Sequence, residues 1–300
     1  MNHLRTPIFT GTCPALITPF DQNGNIDYTA FAVQIDTQIA AGADAVCVCG
    51  TTGEASTLTR REQMSAIEFC VKQVSGRVPV IAGTGNNCTK AAAEMTQWAK
   101  LCGADAALLV TPYYNKTTQD GLVRHYEYIA ERADIPLILY NVPSRTGLSF
   151  AAETYQALAQ NPAFNGVKEA SGDLSLVAKT RCLCGDDFFI WSGNDDQTVP
   201  MLALGAVGVI SAAANLIPDV MVRLSHLCLE GEFHVASQLQ IQYAPLLEAL
   251  FCEVNPVPLK TAMKLAGVDT GTLRLPLCGM DPQHEKQLAS AMEEAGLHVK

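Results

Sequence analysis

The sequence is poor in charged and aromatic side chains for its 300 residues. Charged residues make up 17% and aromatic residues 7%, with only two tryptophans, and the formal net charge is −10. No cluster of Lys and Arg forms the basic patch that nucleic-acid-binding proteins carry. No stretch of eighteen apolar residues suggests a membrane span. We therefore expect neither a nucleic-acid partner nor a membrane-spanning segment.

Several motifs of cofactor and metal chemistry are also missing. No G-x-G-x-x-G follows the first predicted strand, which argues against an open doubly wound sheet. The eleven cysteines and six histidines show no metal-ligand spacing, and there is no serine elbow. We expect no metal site. Reduced cysteines and the lack of an apolar signal-peptide run in residues 1–11 favour a cytoplasmic protein.

What the sequence does contain is a repeating unit of short apolar strand, loop, amphipathic helix and glycine. Because each unit needs a parallel crossover, eight of them predict an α/β fold of the (β/α)8 TIM-barrel class. After residue 230 only helical patterns remain, so we expect a catalytic barrel at 1–230 and a C-terminal helical domain at 231–300. The predicted strands lie at 13–19, 45–49, 78–82, 106–111, 136–142, 164–171, 188–192 and 207–212.

The sixth predicted strand contains a lysine between very small residues. Gly166, Lys168 and Ala170 share one face, because strand side chains alternate, and such small neighbours would leave space around the amine. Lysine is rarely buried without a partner, and burial favours its neutral form, the nucleophile of Schiff-base chemistry. A structural lysine paired with a carboxylate is the alternative, and this strand alone favours neither.

Polar residues follow the predicted strands at their C-terminal ends, where barrel active sites form. The loop Gly50-Thr51-Thr52-Gly53-Glu54 offers amides and hydroxyls to a small carboxylate. Tyr114 and Tyr140 lie at the ends of the fourth and fifth strands and suit a proton relay. Arg145 lies in the next loop and suits a bidentate carboxylate contact. Taken singly, an ordinary turn, core tyrosines and a surface salt bridge explain these residues equally well.

Four segments, taken together and in order, resemble the pyruvate-dependent class I aldolase family. They are Gly50-Thr51-Thr52-Gly53-Glu54, Thr111-Pro112-Tyr113-Tyr114-Asn115, Tyr140-Asn141-Val142-Pro143-Ser144-Arg145-Thr146-Gly147 and Gly166-Val167-Lys168-Glu169-Ala170-Ser171. The resemblance covers nearly the whole chain, including Asn255-Pro256-Val257-Pro258-Leu259-Lys260. The Pro-Ser-Arg-Thr-Gly loop is most similar to the branch that condenses pyruvate with L-aspartate 4-semialdehyde to 4-hydroxy-tetrahydrodipicolinate, a lyase of diaminopimelate and lysine biosynthesis.

The resemblance implies four catalytic residues and no cofactor. Lys168 would form an imine with pyruvate, and the protonated imine would serve as the electron sink. Tyr140 would lie over the imine and relay protons together with Thr52. Tyr114 would complete the relay from a neighbouring subunit, in a homotetramer built from two tight dimers.

The resemblance also implies the substrate-binding residues. Thr51 and Thr52 would hold the pyruvate carboxylate, and Arg145 would receive the carboxylate of aspartate semialdehyde. Gly193 and Ile210 would offer backbone carbonyls near the site.

Two other functions remain open. One is a sibling aldolase on the same scaffold that uses a sugar-derived aldehyde, such as N-acetylneuraminate lyase or a 2-keto-3-deoxy sugar acid aldolase, and Arg145 argues against it. The other is a non-catalytic barrel that binds a keto acid as a sensor. The presence of Thr52, Tyr114, Tyr140 and Lys168 argues against that function.

The resemblance further bears on feedback control by lysine. Sensitive members bind lysine at the tight dimer interface, and Asn87 and Tyr113 of that site are present here. Arg60 stands where sensitive bacterial members have histidine, and Ala91 where they have glutamate. We therefore expect lysine to inhibit weakly or not at all, unless Glu94 supplies the missing carboxylate.

Overall fold

The computed structural model describes residues 5–300, and within them eight strands form one parallel sheet. The strands are β1 Gly11–Pro14, β2 Val46–Val48, β3 Val80–Gly83, β4 Ala106–Val110, β5 Leu137–Asn141, β6 Phe164–Glu169, β7 Phe189–Ser192 and β8 Gly208–Ser211. Their spatial order is β1-β8-β7-β6-β5-β4-β3-β2. A parallel bridge between Ala15 and Cys47 joins the two remaining edges, and the Leu16 amide donates to the Cys47 carbonyl at 2.9 Å. The predicted (β/α)8 barrel is confirmed.

The helices fill the predicted positions between and after the strands. They are α1 Tyr28–Ala40, α2 Arg60–Val74, α3 Thr89–Cys102, α4 Gln119–Ala133, α5 Pro143–Thr146, α6 Ala152–Leu158, α7 Leu174–Cys184, α8 Thr198–Ala203, α9 Pro218–Leu229, α10 Phe233–Ala249, α11 Val257–Leu265 and α12 Pro282–Glu294. At the start of α2, Thr59 and Glu62 form a capping box. Across residues 5–300, no helix has the length and apolar character needed to span a bilayer.

The barrel interior is a packed core, separate from the core between strands and helices. Trp191 is fully buried there and stacks on Phe9, with ring centroids 5.3 Å apart. Its indole N–H donates to the Phe9 carbonyl at 3.2 Å, so this buried polar group has a hydrogen-bond partner. Because Cys13, Cys47 and Ile210 also fill this interior, space for a ligand remains only towards the strand ends.

The C-terminal helices pack against the barrel helices rather than standing apart from them. Helix α10 contacts both α8 and α9, and α12 contacts α10 and α11. The predicted division at residues 230 and 231 falls in the turn between α9 and α10, where Gly231 adopts a φ of 85°. The division into two domains remains a prediction.

Candidate active site

Lys168 lies on β6 inside the barrel, and its side chain is almost fully buried. Its exposed fraction is 6%, and its Cα pairs with Tyr140 on β5 and Trp191 on β7. Its Nζ lies 4.5 Å from the centroid of the Tyr140 ring. In the described part of the chain, no carboxylate forms a salt bridge with Lys168. The alternative of a structural lysine held by a carboxylate therefore finds no support in the geometry.

The space around Lys168 comes from a different glycine than the sequence indicated. A Cβ on Gly166 would lie 1.9 Å from the Phe189 carbonyl oxygen, so this glycine permits the close approach of β6 and β7. A Cβ on Gly193 would lie 3.1 Å from Cε of Lys168 and 2.7 Å from Cβ of Ala170. The expectation for Gly166 was wrong, because alternation along one strand does not show what the neighbouring strand places against it.

A cavity of about 570 Å³ opens at the strand ends beside these residues. Thr51, Tyr140 and Arg145 line it, whereas Lys168 and Thr52 are buried and are not part of its lining. The described lining contains Arg60 and Arg145 and no Asp or Glu, although the chain as a whole has a net charge of −10. Arg60 forms a salt bridge with Glu94 at 2.8 Å, so it is the guanidinium group of Arg145 that suits a ligand carrying a carboxylate.

The Gly-Thr-Thr-Gly-Glu loop is anchored by residues far away in the sequence. Thr52 is 3% exposed, and its Oγ1 accepts a hydrogen bond from Nδ2 of Asn255 at 2.9 Å. Glu54 has a φ of 53°, in the left-handed region, and its buried carboxylate pairs with Lys260 at 2.5 Å. Burial lowers the pKa of Lys260, which the Glu54 carboxylate opposes. Neither Asn255 nor Lys260 was predicted at the site, because nothing local in the sequence pairs them with this loop.

Arg145 stands at the mouth of the cavity on the single-turn helix α5. The helix begins at Pro143 and ends at Gly147, which has a φ of 66°. The guanidinium is exposed, and its Nη2 donates to the backbone carbonyl of Asn255 at 3.3 Å. This single long contact leaves the other donors of the side chain free for a ligand.

Tyr114 is not brought to the site by its own chain. Its exposed fraction is 93%, and it does not line the cavity. Its φ of 68° is unusual for a bulky residue. Asn87 Nδ2 donates to the Tyr113 carbonyl at 3.2 Å, and Asn115 Nδ2 donates to the Asn87 carbonyl at 3.0 Å, so the strained turn is held from both sides.

The seventh and eighth strands supply the remaining predicted residues. Gly193 follows β7, and its amide donates to the Glu169 carbonyl at 2.8 Å. Ile210 lies on β8 with its side chain buried in the barrel interior. Nearby, the buried Oδ2 of Asp195 accepts from the Ala213 amide at 3.0 Å, and burial raises the pKa of this carboxyl group. Asp195 therefore fixes the backbone where β8 ends.

The sequence profile of the Dihydrodipicolinate synthetase family matches residues 8–295. The chain belongs to this family. The 4-hydroxy-tetrahydrodipicolinate synthase of Thermoanaerobacter sp. (strain X514) is 48% identical over 292 residues, which cover 97% of this chain and 98% of that protein. The predicted resemblance to pyruvate-dependent aldolases of the synthase branch is thereby confirmed.

Solved structures of dihydrodipicolinate synthases superpose on nearly the whole chain. The Aquifex aeolicus enzyme gives a TM-score of 0.95 at 42% identity, covering 97% of this chain and 100% of the other. The chloride-inhibited Acinetobacter baumannii enzyme, solved with pyruvate, gives 0.93 at 40% identity, covering 96% and 99%. In this member of the dihydrodipicolinate synthetase family, Lys168 lies next to Tyr140, and Thr51 and Arg145 line the same cavity.

Proposed function

We propose that this chain condenses pyruvate with L-aspartate 4-semialdehyde to 4-hydroxy-tetrahydrodipicolinate, as a Schiff-base-forming lyase. The observation that carries the proposal is Lys168, a buried amine without a carboxylate partner among residues 5–300, 4.5 Å from the Tyr140 ring. Arg145 on the cavity lining supports it, because the second substrate carries a carboxylate. Relatives at 48% identity bear the name of this synthase.

The proposed reaction begins with attack of the Lys168 amine on the ketone of pyruvate. Loss of water gives an iminium ion, which withdraws electrons from the neighbouring methyl group, so that this group can lose a proton. The resulting enamine carbon attacks the aldehyde carbon of the second substrate, and the aldehyde oxygen takes up a proton. The amine of that substrate then attacks the imine carbon, closes the ring and releases Lys168. Because the imine is itself the electron sink, the sequence of steps needs no external cofactor.

The residues of this chain take the following proposed roles. Tyr140, close to the amine, moves protons at the imine together with the buried hydroxyl of Thr52. Thr51 and Thr52 hold the pyruvate carboxylate, and Arg145 at the cavity mouth holds the carboxylate of the semialdehyde. Gly193 and Ile210 contribute backbone carbonyls; these two roles rest on the family resemblance.

We further propose that the working form is a homotetramer of two tight dimers in the cytoplasm. The exposed, strained Tyr114 supports this assembly, because a tyrosine held outside its own chain is available to a neighbouring site. A sibling aldolase that uses a sugar-derived aldehyde is the second candidate, and the position of Arg145 argues against it. Turnover of pyruvate with aspartate semialdehyde, measured beside N-acetylmannosamine and glyceraldehyde, separates the two.

Borohydride reduction in the presence of pyruvate, followed by peptide mass spectrometry, tests the Schiff base. We expect a covalent adduct on the peptide that contains Lys168 and none in Lys168→Ala. Lys260 is an internal control, because it is equally buried but paired with Glu54. An adduct on Lys260, or one that persists in Lys168→Ala, would contradict the proposal.

A further inference from the structure

Asn255 contacts two residues of the proposed site at once. It precedes α11 and is 7% exposed. Its side-chain Nδ2 donates to Oγ1 of Thr52 at 2.9 Å, and its backbone carbonyl accepts from Nη2 of Arg145 at 3.3 Å. Thr52 and Arg145 come from different loops of the barrel, so a single residue near the C-terminal helices sets the position of both.

The contact with Thr52 has a direction. An amide NH2 group donates and cannot accept, so the Thr52 hydroxyl is the acceptor in this bond. No other hydrogen bond to Oγ1 of Thr52 occurs within the described chain, and the proton of the hydroxyl remains free. Asn255 therefore excludes one direction in which the Thr52 hydroxyl could donate.

The orientation of the amide follows from its surroundings. As it stands, the buried Oδ1 of Asn255 lacks a partner among residues 5–300. The reversed amide would instead leave both N–H donors of a buried NH2 group without an acceptor. Buried donors without acceptors are rarer and more costly than an unpaired carbonyl oxygen. The observed direction, from Asn255 to Thr52, is thus the favoured one.

We propose that Asn255 is a positioning residue that makes Thr52 a hydrogen-bond donor towards the reacting groups. This inference rests on the proposed function. The Asn255 amide occupies one acceptor position of the Thr52 hydroxyl, so the Thr52 proton is kept from pointing at Asn255 and stays available to Tyr140 or to bound pyruvate. Asn255 itself exchanges no proton with the substrate. A relay hydroxyl whose orientation is restricted before the substrate binds needs less reorganisation during the reaction, which favours proton transfer.

Asn255→Asp tests this direction, because aspartate keeps the shape of asparagine but cannot donate when ionised. The Thr52 hydroxyl would then donate to the carboxylate and turn away from the site. We expect kcat to fall about tenfold to a hundredfold. The KM for aspartate semialdehyde should stay within about twofold, because the backbone carbonyl that receives Arg145 is unchanged. Asn255→Ala, which removes the donor without adding a charge, should lower kcat as well.

Asn165→Asp is a matched control at the other end of the barrel. Asn165 is also 7% exposed, and its Nδ2 also donates at 2.9 Å, here to the Thr6 carbonyl. Its variant carries the same buried charge far from the strand ends that hold the cavity. We expect its kcat to equal that of the wild type.

A double variant separates positioning from a general loss of stability. If Asn255 acts through Thr52, adding Asn255→Asp to Thr52→Val should lower kcat no further, because the acceptor is already gone. A wild-type kcat in Asn255→Asp and Asn255→Ala, or losses that multiply in the double variant, would overturn the inference while pyruvate still forms its adduct with Lys168. If the wild-type protein forms no pyruvate adduct, the proposed function and this inference both fail.

Discussion

Glu54 and Lys260 form an ion pair that is almost completely shielded from water. Their side chains are 0% and 3% exposed, and Nζ lies 2.5 Å from Oε1. Lys260 also donates to the Thr18 and Thr272 carbonyls, at 2.9 and 3.1 Å, and the Arg274 amide donates to the second carboxylate oxygen at 3.2 Å. The loop that carries Thr51 and Thr52 is therefore tied to α11.

Glu54→Gln should destabilise the protein strongly. Removing one partner leaves the other charge buried and unpaired, at a cost of about 3–5 kcal/mol. Urea unfolding followed by circular dichroism would measure the loss. Glu153→Gln is the matched control, since Glu153 forms an ion pair of similar length, 2.6 Å to Lys179, with both side chains more than half exposed. If the two variants unfold at the same urea concentration, the buried pair does not have the stabilising role assigned here.

The strands of the barrel could be predicted from the sequence because the signal is local. Runs of apolar residues and glycine stops place every strand, and the largest error is at the end of β1, which stops at Pro14 instead of residue 19. The proximity of Lys168 and Tyr140 could be predicted as well, because each residue lies near the C-terminal end of a barrel strand. The contacts of Glu54 with Lys260 and of Thr52 with Asn255 join residues 206 and 203 positions apart, and no local pattern encodes such pairs. The role proposed for Tyr114 needs a second chain, which the sequence of one chain does not position.

Protonation of the Glu62 carboxylate should make the protein less stable in acid. The hydrogen bond from Arg274 is the main cause that lowers the pKa of Glu62 from 4.5 to about 2. Because the folded state binds this proton less readily than the unfolded chain, the stabilisation is full above pH 4.5 and is lost as pH falls towards 2. The side chain is 29% exposed, so solvent screening reduces the effect to about 1–2 kcal/mol. Thermal unfolding between pH 2 and 5 should show a shallower pH dependence in Glu62→Gln; an identical dependence would contradict the assignment.

Arg145→Ala should mainly affect the second substrate. A charged bidentate contact contributes about 1.5–3 kcal/mol, so kcat/KM for aspartate semialdehyde should fall about tenfold to a hundredfold. Trapping of the pyruvate imine at Lys168 should persist, because Arg145 contacts neither Lys168 nor Tyr140 in the structure. Arg145→Lys keeps the charge but loses the planar fork and should give an intermediate value. An unchanged kcat/KM in Arg145→Ala would exclude this role.

Tyr114 should act across a subunit interface. Its exposed fraction of 93% makes the side chain available to a neighbouring subunit. Because the proposed mechanism needs both the relay tyrosine and the Schiff-base lysine, Tyr114→Phe and Lys168→Ala should each be nearly inactive alone. After the two variants are unfolded, mixed and refolded together, some dimers would contain one site with both native residues. Activity should then return in part. Mixed oligomers that are demonstrated by native mass spectrometry but remain inactive would show that the role in the partner's site is wrong.

Free lysine should inhibit this protein weakly or not at all. The cavity beside Tyr140 also extends past Arg60, Ala91 and Tyr113, where the family resemblance places the lysine-binding residues. No carboxylate lines the described cavity, and a buried ammonium without a partner is costly.

Glu94 is the carboxylate that could compensate, but cations already surround it. Arg60 contacts it at 2.8 Å, and Lys90 lies 4.0 Å away. A lysine ligand would therefore have to displace Arg60 before it could pair with Glu94. Titration with lysine at limiting pyruvate, with calorimetry alongside, should show little inhibition or heat. Strong inhibition at lysine concentrations comparable with those of the substrates would overturn the expectation, and its loss in Glu94→Gln would then identify Glu94 as the ligand's partner.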